Sequence, residues 1–347
     1  MEGIRNVLLK LLEFKTIGSN TKEFDKLFNY VKDICNDKLF IKEYIFNNKK
    51  CMVISNYDGY SFDVIFCTHI DVVESDSYEI VEDNDNLYGR GTIDMKGSVS
   101  VCLNVMNNLN TSKKVALFIT SDEEIDGNCV KELLEKYIGS FAIVPDGGSN
   151  FDLIVEEKGA LQLKVLAEGV SAHASQPFNG ENAIVKVMDV YNDLISKYPL
   201  PNSSDDYVTT VNLSKIEGGN ATNCVPDYAV CYFDIRRVSK DSVSDILDII
   251  KKHDVKYEIL LDGDVFKTDL NNNFVKKYIE SSEKVLNKKI NKAGCESTSD
   301  AIYFYLKNIP TVIMNPVGYY PHNPKEFVNK KSLLDLYNIY MEFINNL

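Results

Sequence analysis

The residues of this 347-residue chain that could do chemistry fall in a few short polar motifs. Three of its four histidines lie there: His69 in FCTHIDVV, His173 in VSAHASQP and His322 in YYPHNPKEF. Acids stand between them: Asp71 just after His69, Asp94 in YGRGTIDMKG, Asp122, Glu123 and Glu124 in ITSDEE, and Asp146 in IVPDGGS. Imidazoles and carboxylates suit a borderline divalent cation, and acids crowded at one place repel unless cations or protons intervene. Asp71 lies two residues beyond His69, on the same side of an extended chain. There it can accept the imidazole N–H and fix which ring nitrogen faces a metal. Each residue alone has a plainer explanation: a hydrogen-bonded turn histidine, an aspartate capping a helix or forming a turn, an exposed acidic loop. What favours the set is repetition, because each acid or histidine directly follows a buried apolar run. The pattern reads as a metal site assembled from several strand ends.

The elements that must position these residues alternate. Apolar periodicity predicts helices near residues 2–14 and 22–36, then strands near 39–47, 51–56 and 62–69, an α/β opening. DMKGSVSVCLNVMNNL has helical spacing, VALFIT is a buried strand, NCVKELLEKYI a further helix and SFAIVP a further strand. The polar motifs sit at the carboxyl ends of these strands, where open α/β sheets place ligands. After EEKGA the texture changes to longer alternating strands, LQLKVLAEG, YVTTVNLSKIEG and DYAVCYFDIRRV, around helices near 181–197 and 241–253. That predicts a separate antiparallel sheet with helices on one face. From about residue 265 the alternation resumes with FVKKYIESSEKVL, PTVIMNP and SLLDLYNIYMEFI. We therefore expect a catalytic domain over 1–158 and 265–347, interrupted by an inserted domain over 159–264.

Composition narrows the function. A net charge of -13 disfavours nucleic acid, whose binding needs clustered Lys and Arg. No apolar run is long enough to cross a bilayer. The charged start MEGIRNVLLKLLEFKTIG predicts an amphipathic first helix rather than a signal peptide, and so a cytoplasmic protein. The eight cysteines form no CxxC pair and mostly lie among apolar neighbours, as reduced core thiols do, which argues against a zinc–thiolate site. A small molecule or short peptide is the partner that fits.

The ordered set HIDVV, GRGTIDMKG, TSDEE, PDGG, SAHAS and PHNPKE resembles the M20 metallopeptidase family across nearly the whole chain. That family includes acetylornithine deacetylases, succinyl-diaminopimelate desuccinylases, glutamate-releasing carboxypeptidases and di- and tripeptidases. The resemblance implies a zinc-peptidase-like α/β catalytic domain with a mixed sheet. It also implies an inserted α+β lid or dimerisation domain with an antiparallel sheet, through which two copies would pair.

Carried onto this chain, the resemblance implies that Asp94 bridges two divalent ions, with Glu124 and His322 completing one and His69 and Asp146 the other. Zinc is favoured by the mixed ligands, with cobalt or manganese also suited. Paired ions polarise an amide carbonyl and lower the pKa of a bridging water, whose proton Glu123 would take as general base. Asp71 would orient His69, and the Asp94–Met95 peptide is expected to be cis. His173 would stabilise the tetrahedral oxyanion from a partner subunit. Arg236 would grip a substrate carboxylate with its planar fork. Asn223, Thr298 and Ser299 fall where relatives contact substrate, while His253 fits no motif.

Two departures bear on substrate. Deacetylases and desuccinylases usually carry glutamate where this chain has Asp146, whereas several di- and tripeptidases carry aspartate. The stretch between His69 and Asp94 is short and lacks a Trp-Pro-Phe segment. The first expectation is a two-metal amidohydrolase removing an N-acyl group from an amino acid, and the alternative is a dipeptidase, tripeptidase or carboxypeptidase with the same water chemistry. A catalytically silent relative would lack Glu123 or a ligand, and none is missing.

Overall fold

The run VIFCTH is buried at every position as the strand Val64–His69, and VALFIT is equally buried as Val115–Thr120. Continuous apolar runs of this kind belong to strands covered on both faces. The two pair in parallel, with His69 level with Thr120. The computed structural model describes every residue except Met1, Ser19, Asp126, Ser204 and Asp205. It divides into two compact units. One comprises Met1–Val155, Thr268–Cys295 and Ser299–Leu347, and the other Glu156–Lys267 with Glu296–Thr298.

In the first unit the sheet runs Phe40–Phe46, Lys49–Ser55, Val115–Thr120, Val64–His69, Ala142–Val144, Thr311–Ile313, Leu153–Glu157. The central pairs are parallel and the flanking pairs antiparallel, so the sheet is mixed. Its core includes Leu8, Leu27, Phe66, Leu117, Phe141, Tyr278, Leu336 and Phe343. The Phe66 ring packs tilted against Tyr340, centroids 4.8 Å apart, and Phe141 against Phe343 at 5.3 Å, which fastens the last helix, Lys330–Asn345, to the sheet. Each such side chain contributes about 1.5–3 kcal/mol by burial.

A small antiparallel sheet, Gly318–Tyr319, Phe327–Asn329, Asn86–Tyr88 and Val81–Glu82, escapes the periodicity of the sequence because its strands are two or three residues long. It matters because it joins the segment before Asp94 to the hairpin that carries His322. Boundaries elsewhere shift modestly: the helix expected over NCVKELLEKYI ends at Leu134, and the strand in SFAIVP is Ala142–Val144. The helix containing VSVCLNVM begins only at Gly97, after an irregular turn, Thr92–Lys96.

The second unit carries the antiparallel sheet Thr210–Gly218, Tyr228–Arg237, Gly159–Glu168, Lys256–Asp262. Gly159–Glu168 alternates strictly, burying Leu161, Leu163, Val165 and Ala167 in a core with Val187, Val190, Leu194, Ile246 and Ile250. Those partners sit on the helices Ala183–Lys197 and Val243–Ile250, which begin at an Asn182 cap and a Ser242/Asp245 capping box. The edge strand Lys256–Asp262 is exposed at every position, Tyr257, Ile259, Leu260 and Leu261 included. Among the described residues, no helix is long and apolar enough to cross a membrane.

Candidate metal centre

Four parallel strands of the first unit end close together, and the residues just past those ends meet. His69 closes Val64–His69, Glu123 and Glu124 follow Val115–Thr120, Asp146 follows Ala142–Val144, and His322 comes nine residues after Ile313. The acidic loop is shaped by Asp122. Its main-chain carbonyl accepts the N–H groups of Ile125 (3.2 Å) and Gly127 (2.8 Å), and its carboxylate accepts the Cys129 N–H at 2.9 Å. Asp122 is fully buried and serves the loop, which leaves Glu123 and Glu124 for the site.

Asp94 arrives by a different route. Gly91 adopts φ 86, a left-handed conformation that glycine takes freely. The chain then runs through non-helical dihedrals at Asp94 and Met95, and the peptide between them is cis, as the resemblance implied. Lys96 behind it is buried, with Nζ donating to the Phe14 carbonyl at 2.7 Å. His322 stands in its hairpin with φ 60, two residues after Tyr320 at φ 64, left-handed conformations uncommon for non-glycine residues.

These segments form two triads sharing one carboxylate. His69, Asp94 and Asp146 offer ligand atoms within 4.8 Å of one another, and so do Asp94, Glu124 and His322. Asp94 faces both histidines, Oδ1 lying 3.2 Å from His69 Nε2 and Oδ2 3.0 Å from His322 Nε2. His322 Nε2 is also 3.1 Å from Glu124, and His69 Nε2 is 3.7 Å from Asp146. Glu123 belongs to neither triad, its nearer oxygen lying 3.9 Å from His69 Nε2.

Asp71 links the two halves. Its Oδ2 accepts the Glu124 N–H at 3.0 Å, and its Oδ1 lies 3.4 Å from His69 Nδ1. The ring nitrogen is nearer to the Asp71 main-chain oxygen, at 3.1 Å, so the carbonyl rather than the carboxylate is the closer acceptor. The sequence spacing points to the carboxylate alone.

The electrostatics follow from burying many acids together. Burial pushes the Glu123 carboxyl up to about 10, with Asp146, Asp300 and Asp94 adding to the rise against His69. Burial likewise pushes Asp146 up to about 7, with Asp94 and Glu124 contributing. Asp94 is also pushed up by burial, but hydrogen bonds from His322 and His69 outweigh it and hold the carboxyl low. His322 rises to about 10 because Asp94 and Glu124 accept from it. Acids outnumber the cationic groups here, and cations would relieve them.

The donor set fits divalent metal. His69 Nε2 is buried and makes no hydrogen bond of good geometry, yet three carboxylates surround it within 4 Å. A ring nitrogen left this way is the donor a cation would take. Ligand atoms on an ion bound at about 2.0–2.2 Å sit no more than about 4.4 Å apart, so small side-chain shifts suffice in each triad.

The remaining candidates lie elsewhere in the chain. In the second unit His173 forms a bridge with Cys224, and its Nδ1 contacts Ser175 Oγ at 2.8 Å. Asn223 is beside it, its main-chain oxygen accepting the Ala174 N–H at 2.9 Å. Arg236 is half exposed and already forked onto Asp234, at 2.7 Å through Nε and 3.2 Å through Nη2. Thr298 donates to the Lys158 carbonyl at 3.0 Å, and Ser299, in the first unit, is buried. His253 pairs with Asp193 at 3.0 Å, clear of any candidate cluster. Glu326 belongs to none of the expected site positions, yet its fully buried carboxylate accepts main-chain N–H groups on both sides of Thr92, at Gly91, Ile93 and Asp94. Its signal is present in PHNPKEF, but an acid beside a lysine on a loop reads as solvated.

Comparison with known proteins places the chain in a family. Residues 65–346 match peptidase family M20/M25/M40. The chain is 26% identical to an acetylornithine deacetylase of Buchnera aphidicola over 380 aligned positions, covering 98% of this chain and 96% of that protein. It is 24% identical to a succinyl-diaminopimelate desuccinylase of Rickettsia bellii, covering 97% and 95%. In fold it is similar to a crystal structure of a tripeptidase from Staphylococcus aureus, with a TM-score of 0.79 at 22% identity and coverage of 99% and 98%. The chain thus belongs to peptidase family M20/M25/M40, as a metal-dependent hydrolase of the amidohydrolase and peptidase type.

Proposed function

We propose that the protein hydrolyses the amide bond of N-acyl amino acids at a two-metal site. The observation that carries this is the single carboxylate of Asp94, set between two histidines at 3.2 and 3.0 Å, each with a further acid beside it. His69, Asp94 and Asp146 would hold one divalent ion, and Asp94, Glu124 and His322 the other, zinc being favoured. When bound, such ions polarise a carbonyl and acidify water.

The chain's own residues do the rest. Glu123, outside both triads, takes the proton of the attacking water and returns it to the departing amine. Asp71 orients His69 and steadies the Glu124 main chain. From a partner subunit His173 would supply an oxyanion contact, and Arg236 would bind the substrate carboxylate, exchanging its Asp234 partner for it. Asn223, Thr298 and Ser299 complete the substrate contacts. The matched deacetylase and desuccinylase support N-acyl amino acids as substrates. A cytoplasmic location is part of the same proposal.

A second reading has its own support. Asp146 stands where peptidases of the family resemble this chain more than deacetylases do, and the tripeptidase shares its fold across 99% of the chain. On that reading the substrate is a dipeptide or tripeptide. We also propose a homodimer formed through the second unit, supported by the exposed apolar edge strand Lys256–Asp262. Light scattering on the purified protein tests it, and a monomer at all concentrations refutes it.

The discriminating assay sets N-acetyl and N-succinyl amino acids beside dipeptides and tripeptides, with activity removed by a chelator and restored by metal. Hydrolysis confined to peptides overturns the first reading in favour of the second. Activity indifferent to chelation overturns both.

A further inference from the structure

We propose that Glu326 is the residue that positions Asp94, and through it both metal positions, by clamping the Gly91–Asp94 main chain to the hairpin bearing His322. The inference rests on the two-metal reading of the site. Glu326 Oε1 accepts the N–H groups of Ile93 at 3.0 Å and Asp94 at 3.2 Å. Its Oε2 accepts the Gly91 N–H at 3.0 Å and Arg90 Nη1 at 2.8 Å. Four donors on two oxygens use the full accepting capacity of a carboxylate. Both partners of the ion pair are buried, with 4% of the Arg90 side chain and 1% of the Glu326 side chain exposed.

Those main-chain donors need this acceptor. Gly91 is left-handed and Asp94 has φ -123 and ψ 93, so helical hydrogen bonding is broken where the chain turns toward the site. Buried N–H groups without acceptors cost free energy, and Glu326 supplies acceptors to three of them. Glu326 also precedes the strand Phe327–Asn329, and its main-chain oxygen accepts the Gly89 N–H at 3.0 Å. One residue therefore fixes the distance between the Asp94 segment and the His322 hairpin from both its side chain and its backbone.

Asp94 is the shared member of the two triads, so a displaced Asp94 main chain disturbs both at once. Among the described residues, Glu326 makes its side-chain hydrogen bonds to Arg90 and to main-chain N–H groups rather than to a candidate ligand side chain. It acts through the main chain of Asp94, as a positioning residue.

The test uses cobalt(II) titration of chelator-stripped protein, followed by visible absorption and bound stoichiometry. Glu326→Gln replaces one acceptor oxygen by an amide nitrogen that faces N–H donors. We expect both cobalt positions to weaken by about 10–100-fold, the cost typical of losing a group that orients a ligand, with shifted absorption bands. The double variant Arg90→Met with Glu326→Gln removes the guanidinium left unpaired. It should recover thermal stability while cobalt binding stays weak, which separates positioning from folding and serves where the single variant does not fold.

Wild-type cobalt affinity and spectrum in either folded variant overturn the clamp, as does weakening at one position alone. If the wild-type protein itself takes up no cobalt, the two-metal reading falls, and the clamp with it. That result is distinct from an intact wild-type site untouched by the substitutions.

Discussion

Asp71→Asn probes how the two candidate metal positions are tied together. Asp71 is 1% exposed and reaches one member of each triad: Oδ2 accepts the Glu124 N–H at 3.0 Å, and Oδ1 lies 3.4 Å from His69 Nδ1. Asparagine keeps the shape, and the main-chain oxygen of residue 71, at 3.1 Å, still holds the His69 Nδ1–H, so the ring tautomer is preserved. What goes is the negative charge beside the imidazole and one of two acceptor oxygens. A hydrogen bond to a charged group contributes about 1.5–3 kcal/mol. At about 1.4 kcal/mol per tenfold, that is roughly a 10–100-fold loss of metal affinity. The loss should fall on both ions, because one oxygen serves the His69 triad and the other the Glu124 triad. Competition between the stripped protein and a chromophoric zinc chelator measures it. Affinity within threefold of wild type, or a loss restricted to one ion, would refute the coupling.

Glu123→Ala should retain both metals, since Glu123 belongs to neither triad, and lower turnover by about 10²–10⁴-fold. Metal analysis beside kinetics decides it, and full turnover excludes Glu123 as the base. In chelator-stripped protein, burial raises the Asp146 and Glu123 carboxyls to about 7 and about 10. The folded protein then keeps protons that the unfolded chain releases above pH ~4, so stability should fall from pH 5 to pH 7 by roughly 1.4 kcal/mol per pH unit per group. Lys96, lowered to about 7 by burial, acts in the opposite sense only above that pH. Melting curves test this: the midpoint should drop toward pH 7, Asp146→Asn should flatten the trend, and a midpoint that climbs contradicts it. Phe66→Ala empties a fully buried site packed on Tyr340 and should cost about 3–5 kcal/mol in urea unfolding. A change under 1 kcal/mol would mean that this core is loosely packed.

The family, the order of the main elements and the chemical types at the site can be read from the chain alone. Buried runs such as VIFCTH and VALFIT declare their strands because a parallel sheet covered on both faces admits only apolar side chains. His69, Glu123, Glu124 and Asp146 were legible because each closes or follows such a run, whereas Asp94 comes out of an irregular turn and His322 out of a hairpin loop nine residues past its strand. The strands Leu153–Glu157 and Lys256–Asp262 were not, the first being short and the second exposed at every position, so neither carries a periodic signal. Which residues meet is settled by folding. Asp94 stands between His69 and His322, 25 and 228 positions away in the sequence, because the small sheet pairs Tyr88 with Phe327 and Glu326 accepts the Asp94 N–H. Short-range contacts gave Asp122 to its own loop and Arg236 to Asp234, two residues away on one strand. Side-chain chemistry is local and can be read from the chain. Distance between remote side chains is set by strand pairing and buried hydrogen bonds, which exist only once the chain has folded.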